Sequence, residues 1–98
     1  FSIHMCELIA QQLPEFTVQF LGSSLSPDEL AAKGVNGVDY NHTIYVLHKK
    51  WYKQARKNNM SINAWTVNHR PDIKRMLKLG VDYITTDEPV LVREMITQ

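Results

Sequence analysis

Apolar positions Met5, Leu8, Ile9 and Leu13 recur at the spacing of one helical face, and Pro14 stops the helix they predict. The β-branched and aromatic run from Thr17 to Leu21 predicts a buried strand that leaves through the loop Gly22-Ser23-Ser24. Ser26-Pro27-Asp28-Glu29 then puts a hydroxyl at an N-cap, proline at the first helical position and a carboxylate at the third. The free amides of a second helix are thus satisfied as it starts, and Gly34 closes it. Gly37-Val38-Asp39-Tyr40 predicts a short strand. One long helix is expected next, over roughly 44–57, with Ile44, Leu47, His48, Trp51 and Ala55 along its inner face. Ser61 to Val67 reads as a third strand, and Asn68 as the cap of a helix that buries Ile73, Met76 and Leu77 and ends at Gly80. Val81 to Thr85 is the last strand, and Pro89 opens a final helix with Leu91, Val92, Met95 and Ile96 turned inward.

Strict alternation of helix and strand with short connections places the chain in the α/β class, with parallel strands joined by right-handed crossovers. The tetrapeptide Gly-Val-Asp-Tyr at 37–40 returns at 80–83, 43 positions on, and reads as a repeat of two strand–helix units. Parallel strands are normally covered on both faces, and a TIM-type barrel achieves this by closing eight such units over roughly 250 residues. The chain supplies about half of that. Half a barrel leaves two strand edges and an inner face without its opposite wall, which predicts self-association or pairing with a missing half. An open doubly wound sheet of four strands is the alternative.

Composition narrows the functional classes. Ninety-eight residues allow one domain at most, here a single partial one over 1–98. A net charge of +1 gives no global field for an acidic polymer, and no apolar run approaches the roughly 20 residues of a membrane span. The single Cys6 excludes an internal disulfide and leaves the compartment open, cytoplasmic or exported. The chain begins Phe1-Ser2-Ile3 with neither a basic nor an apolar leader, so the expectation is a piece of something longer without a targeting segment.

Sites in parallel α/β folds lie at the carboxyl ends of the strands. The residues to weigh are Gly22-Ser23-Ser24, Asn41-His42-Thr43, Asn68-His69-Arg70 and Thr85-Thr86-Asp87-Glu88. Asp87 and Glu88 suit Mg²⁺ or Ca²⁺, but Asp87 just before Glu88-Pro89 is what a helix N-terminus requires, and capping is the expected role. His42, His48 and His69 share no zinc-ligand spacing with one another or with Cys6. Cys6 and His4 fall on different sides of a helix, which excludes a nucleophile–base pair. Lys49, Lys50, Lys53, Arg56 and Lys57 form a cationic run around Trp51 and Tyr52. With Trp51 facing the core, a solvated outer face explains the run better than nucleic-acid or anionic-lipid binding. Trp65, a large aromatic at the carboxyl end of its strand, suits a pocket wall.

Ile62-Asn63-Ala64-Trp65-Thr66-Val67-Asn68 and the run from Met76 to Pro89, with its Leu79-Gly80-Val81-Asp82 turn and Thr86-Asp87-Glu88-Pro89 loop, closely resemble the C-terminal part of glycerophosphodiester phosphodiesterases. Phe1-Ser2, Phe20-Leu21-Gly22, Leu25-Ser26-Pro27 and Gly37 to Tyr40 fit earlier segments of that family. The resemblance implies the C-terminal portion, about half, of a TIM-type (βα)8 barrel. It further implies hydrolysis of a small-molecule glycerophosphodiester to glycerol 3-phosphate and an alcohol, with a divalent metal (Mg or Ca) and a histidine pair. The family's catalytic His-Arg and its metal-binding Glu-x-Asp belong to the N-terminal half and find no match in this chain, so no catalytic or metal-ligating residue is expected and the chain alone should be inactive. His69-Arg70 copies the dipeptide but follows the Trp-Thr-Val-Asn strand and precedes Pro71, which marks it as the start of a helix. What carries over is Trp65 as a substrate-binding wall and, more weakly, Phe1 at a matching Ser-Phe strand end. A non-catalytic half-barrel module that self-associates is the competing reading.

Overall fold

A computed structural model describes residues 3, 11–12, 19–21 and 25–97. The first expected helix falls largely outside them, as do Phe1, His4, Cys6 and the loop 22–24. The described elements are β1 (Gln19–Leu21), α1 (Pro27–Ala32), β2 (Gly37–Asn41), α2 (His42–Leu47), α3 (Lys49–Lys57), β3 (Ser61–Trp65), α4 (Arg70–Leu79), β4 (Tyr83–Ile84) and α5 (Pro89–Ile96). The four strands form one sheet in chain order, β1-β2-β3-β4, and every pair is parallel. Neighbouring strands are each joined by helical crossovers, as the alternation predicted.

Helix ends follow local chemistry. Ser26 Oγ accepts from Glu29 N while Glu29 Oε1 accepts from Ser26 N, a complete capping box that also holds the Glu29 carboxyl below its ordinary pKa. Gly34 and Gly80 both adopt left-handed backbone, with φ of 81° and 87°. A Cβ on Gly80 would meet nothing closer than Tyr52 Oη at 3.5 Å, so only the backbone opposes a side chain there. Gly80→Ala should therefore lower stability by about 1–2 kcal/mol, read as a shift in the urea midpoint with unchanged slope.

Burial alternates along the strands. Val38, Tyr40, Ile62 and Ala64 are fully buried beneath the helices, together with Leu30, Ala55, Ile73 and Met76. Asp39, Asn41, Ser61, Asn63 and Trp65 point to the other face and keep partial exposure, and Tyr83 on that face is 61% exposed. The sheet is thus packed on one side and open on the other, the form of a barrel segment.

Four expectations need correction. The long helix is two, broken at His48 (φ −116°, ψ 69°), whose ring stacks on Trp51 at 4.6 Å. The break changes the helical phase: Tyr45 enters the core, Trp51 reaches Tyr40 at 5.4 Å, and Leu47, expected inside, is 74% exposed. Ile96 also points outward, because α5 buries only Val92 fully and rests Leu91 and Met95 against the core. The third strand ends at Trp65, two residues earlier than expected, and the last is only Tyr83–Ile84. Finally, the tetrapeptide repeat is not a structural repeat. Asp39 is level with Asn63 and Tyr83, whereas Tyr40 is level with Ala64 and Ile84, so the second copy is displaced by one residue. One residue of slip reverses every side chain, which is why Tyr40 is buried and Tyr83 exposed.

At the amino ends of the strands Arg56 gathers the last two units. It donates to Tyr52 Oη at 3.1 Å, to Asp82 at 3.1 Å and to the Gly80 carbonyl, while Asp82 also accepts from Ile62 N at 2.8 Å. Lys57 pairs with Asp28 at 3.4 Å. Two members of the cationic run thus have structural partners within the fold.

Candidate functional site at the carboxyl ends of the strands

The open face and the carboxyl ends of the strands meet around Trp65, the last residue of β3. Its register partner is Asn41, the last of β2, but its indole Nε1 donates to the Asp39 carbonyl at 3.0 Å. That bond draws the ring back across β2 and fixes its orientation, leaving it half-buried with one side toward the open face. Asp39 lies beneath on the same face. Its Oδ1 is buried without a hydrogen-bond partner, and desolvation raises its carboxyl above 3.8.

A carboxyl raised by burial binds its proton more tightly in the folded chain, so its ionisation opposes folding increasingly as pH climbs past the unfolded value. Asp39→Asn, which keeps the carbonyl that Trp65 uses, should then raise the urea midpoint at neutral pH and change nothing well below pH 3.8. Equal midpoints for the two proteins at neutral pH would refute this.

Two loops beyond β3 and β4 are clasped by one side chain. Asn68 Oδ1 accepts from Asp87 N at 2.8 Å and Thr86 Oγ1 at 3.1 Å, and its Nδ2 donates to the Asp87 carboxylate at 3.1 Å. Thr85 Oγ1 donates to Asn63 Oδ1 at 3.2 Å, one step further in. The expected capping roles of Asn68 and Asp87 are therefore overturned. His69 is the N-cap of α4 and Glu88 that of α5, neither with a capping side-chain bond. Asn68 and Asp87 instead bond each other, because parallel neighbours bring consecutive loops side by side. Asn41 does cap: its Oδ1 accepts from Thr43 N at 3.0 Å. His42 follows with Nδ1 buried and unpartnered. His69 and Arg70 stand exposed at the start of α4, apart from any acid–base partner among the described residues.

Among the described residues no three of His, Cys, Asp or Glu converge on a point. Asp39 offers a solitary carboxylate and that of Asp87 is engaged by Asn68, so these side chains do not fit a divalent cation, which needs several oxygen ligands. What the site presents is an aromatic ring held by one hydrogen bond, an amide and hydroxyl row (Asn63, Thr85, Asn68, Thr86) and a pair of bonded loops. Such a surface can hold and orient a small polar ligand. The sequence pointed to Trp65 and to these loops; the clasp at Asn68 was missed because its partners are 18 and 19 positions away.

The family model for the glycerophosphoryl diester phosphodiesterase family matches residues 1–91. The chain belongs to that family. A glycerophosphodiester phosphodiesterase of Caldanaerobacter subterraneus is 47% identical over 35 residues, 36% of this chain and 14% of the relative. Glycerophosphodiester phosphodiesterase GDPD4 of Arabidopsis thaliana is 35% identical over 60 residues, covering 61% of this chain and 18% of its own length. The crystal structure of a glycerophosphodiester phosphodiesterase from Parabacteroides distasonis superposes on 99% of the chain with a TM-score of 0.92 and 32% identity. A similar superposition on a Silicibacter pomeroyi structure (TM-score 0.83, 21% identity) supports the fold alone. The chain spans 41% of the Parabacteroides chain and 36% of the Silicibacter one. The fold is that of part of a TIM-type phosphodiesterase barrel, consistent with the open sheet face.

Proposed function

We propose that this chain is the carboxyl-terminal part of a barrel that hydrolyses a glycerophosphodiester to glycerol 3-phosphate and an alcohol, and that Trp65 is a wall of its substrate pocket. The observation that carries the proposal is the placement of Trp65: at the carboxyl end of a parallel strand, its indole locked to Asp39, its free side on the open face. The family membership of residues 1–91 supports the reaction class.

In this reading residues 1–98 form one partial domain, and the catalytic histidines lie in the part of the barrel outside it. Members of the family generally depend on a divalent metal. The resemblance assigns the metal's ligands likewise to that other part, and no step is routed through a metal on these residues. This chain's share of the work is positional. Trp65 packs against the apolar part of the substrate, the row from Asn63 to Thr86 meets its hydroxyls, and the Asn68 clasp keeps both loops from spreading as it binds. Phe1, a second candidate for substrate contact, lies outside the described residues. No helix among the described residues is long and apolar enough to cross a membrane.

The test is glycerol 3-phosphate release from glycerophosphocholine with added divalent metal. The full-length protein should be active and residues 1–98 alone inactive; turnover by the 98-residue chain would overturn the assignment of catalysis elsewhere. Exposed Leu21 and Tyr83 on the open face favour a covering partner, either the rest of the barrel or a second copy. If the isolated chain is a non-catalytic, self-associating module, light scattering will show a concentration-dependent dimer and no full-length form will hydrolyse the substrate.

A further inference from the structure

On the helix-covered side of the sheet, away from the face of Trp65, a cavity of about 410 Å³ opens between α2, α3 and α4. That volume is within the range of small-molecule sites, roughly 300–1,000 Å³. Its walls are Tyr45, Val46, Tyr52 and Leu79. The two tyrosines bring no polar character, because each hydroxyl is already spent inside the fold. Tyr45 Oη donates to the Asn63 carbonyl at 2.6 Å and Tyr52 Oη to the Leu79 carbonyl at 2.6 Å, so the cavity sees rings and methyls.

The rim is of the opposite character. Lys49, Lys53 and Arg75 surround the mouth, all exposed, and among the described residues no acidic one lines it. Arg75 pairs with Asp72, one turn back, at 3.3 Å, while Lys49 and Lys53 join no ion pair among the described residues. An apolar floor beneath cations of one sign matches a hydrocarbon chain that ends in an anion. Neither a neutral apolar ligand nor a cationic one makes use of that rim.

We infer that the cavity between α2, α3 and α4 is a binding site for a single-chain anionic amphiphile, its alkyl chain between Tyr45 and Leu79 and its head group against Lys49 and Lys53. The site faces away from the proposed reaction and does not depend on it.

The probe is laurate below its micellar concentration, added to the full-length protein and followed by titration calorimetry and by amide NMR shifts. One laurate per chain should bind, with shifts confined to residues 45–53 and 75–79. Affinity should rise about fourfold per methylene from octanoate to laurate. Dodecyltrimethylammonium and inorganic phosphate should not bind there. The double substitution Lys49→Glu with Lys53→Glu, on exposed residues, should weaken laurate at least tenfold, whereas Lys50→Glu, away from the mouth, should leave it unchanged. Val46→Trp, which fills the cavity without changing charge, should also abolish binding. The inference fails if the cationic amphiphile binds equally well, if the double charge reversal has no effect, or if the shifts map to the face of Trp65. It fails as well if laurate does not bind and the cavity is occupied by a second copy, seen as dimerisation that Val46→Trp removes.

Discussion

Alanine in place of Tyr45 is expected to remove about 3–5 kcal/mol of stability, a large share of the roughly 5–15 kcal/mol that a folded domain commands. The side chain is 2% exposed, its ring lies 5.6 Å from that of Tyr40, and its hydroxyl donates to the Asn63 carbonyl at 2.6 Å. Burial pushes the phenol well above its ordinary pKa, so it stays a neutral donor throughout the accessible range. Removing the ring therefore opens a cavity between α2 and the sheet and takes away the bond to the Asn63 carbonyl. Tyr45→Phe separates the two contributions: the ring remains, the bond is lost, and the cost should fall to about 1–3 kcal/mol. Urea unfolding of the full-length protein measures both. An alanine variant within 1 kcal/mol of the parent would mean that α2 is not anchored by this side chain.

Trp65→Ala should lower kcat/KM for glycerophosphodiester hydrolysis by about 10- to 100-fold, the equivalent of losing one buried aromatic contact. Most of the change should appear in KM, since the residue is assigned to binding and lies outside the acid–base machinery. Stability should change far less than for Tyr45, because the indole is only half-buried. Trp65→Phe retains a wall while losing the Nε1 bond to the Asp39 carbonyl, and should recover most of the activity. Steady-state kinetics of the three full-length proteins decide the matter. Undiminished kcat/KM in the alanine variant would remove Trp65 from the pocket.

Much of this architecture was legible in the residue pattern, and each success has a local cause. The capping box at Ser26 and Glu29, the left-handed glycines 34 and 80, and the inward Ile73 and Met76 all depend on residues within a turn of one another. The errors have a shared cause too. Asn68 and Asp87 each look like a helix cap, the commonest local use of such residues, yet they bond across two loops that only strand pairing brings together. Leu47 fits the helical period of its neighbours, yet the helix breaks at His48, the phase changes there, and Leu47 is left exposed. The second Gly-Val-Asp-Tyr reads as a copy of the first, and a one-residue difference in register turns its tyrosine outward.

What the sequence determined by itself is the order of the elements, the parallel sense of the sheet and the family likeness carried by Trp65 and its flanking motifs. The first two follow from backbone sterics, helix-end hydrogen bonding and apolar periodicity, all of short range, and the third from a resemblance of motifs. Tertiary structure alone decided which residue of each strand stands level with which, where the central helix breaks, and that Tyr45 and Tyr52 spend their hydroxyls on carbonyls distant in the chain and leave an apolar cavity beneath three cations. These depend on packing between segments far apart in the chain, where a shift of one residue exchanges inside for outside and no local preference selects between them.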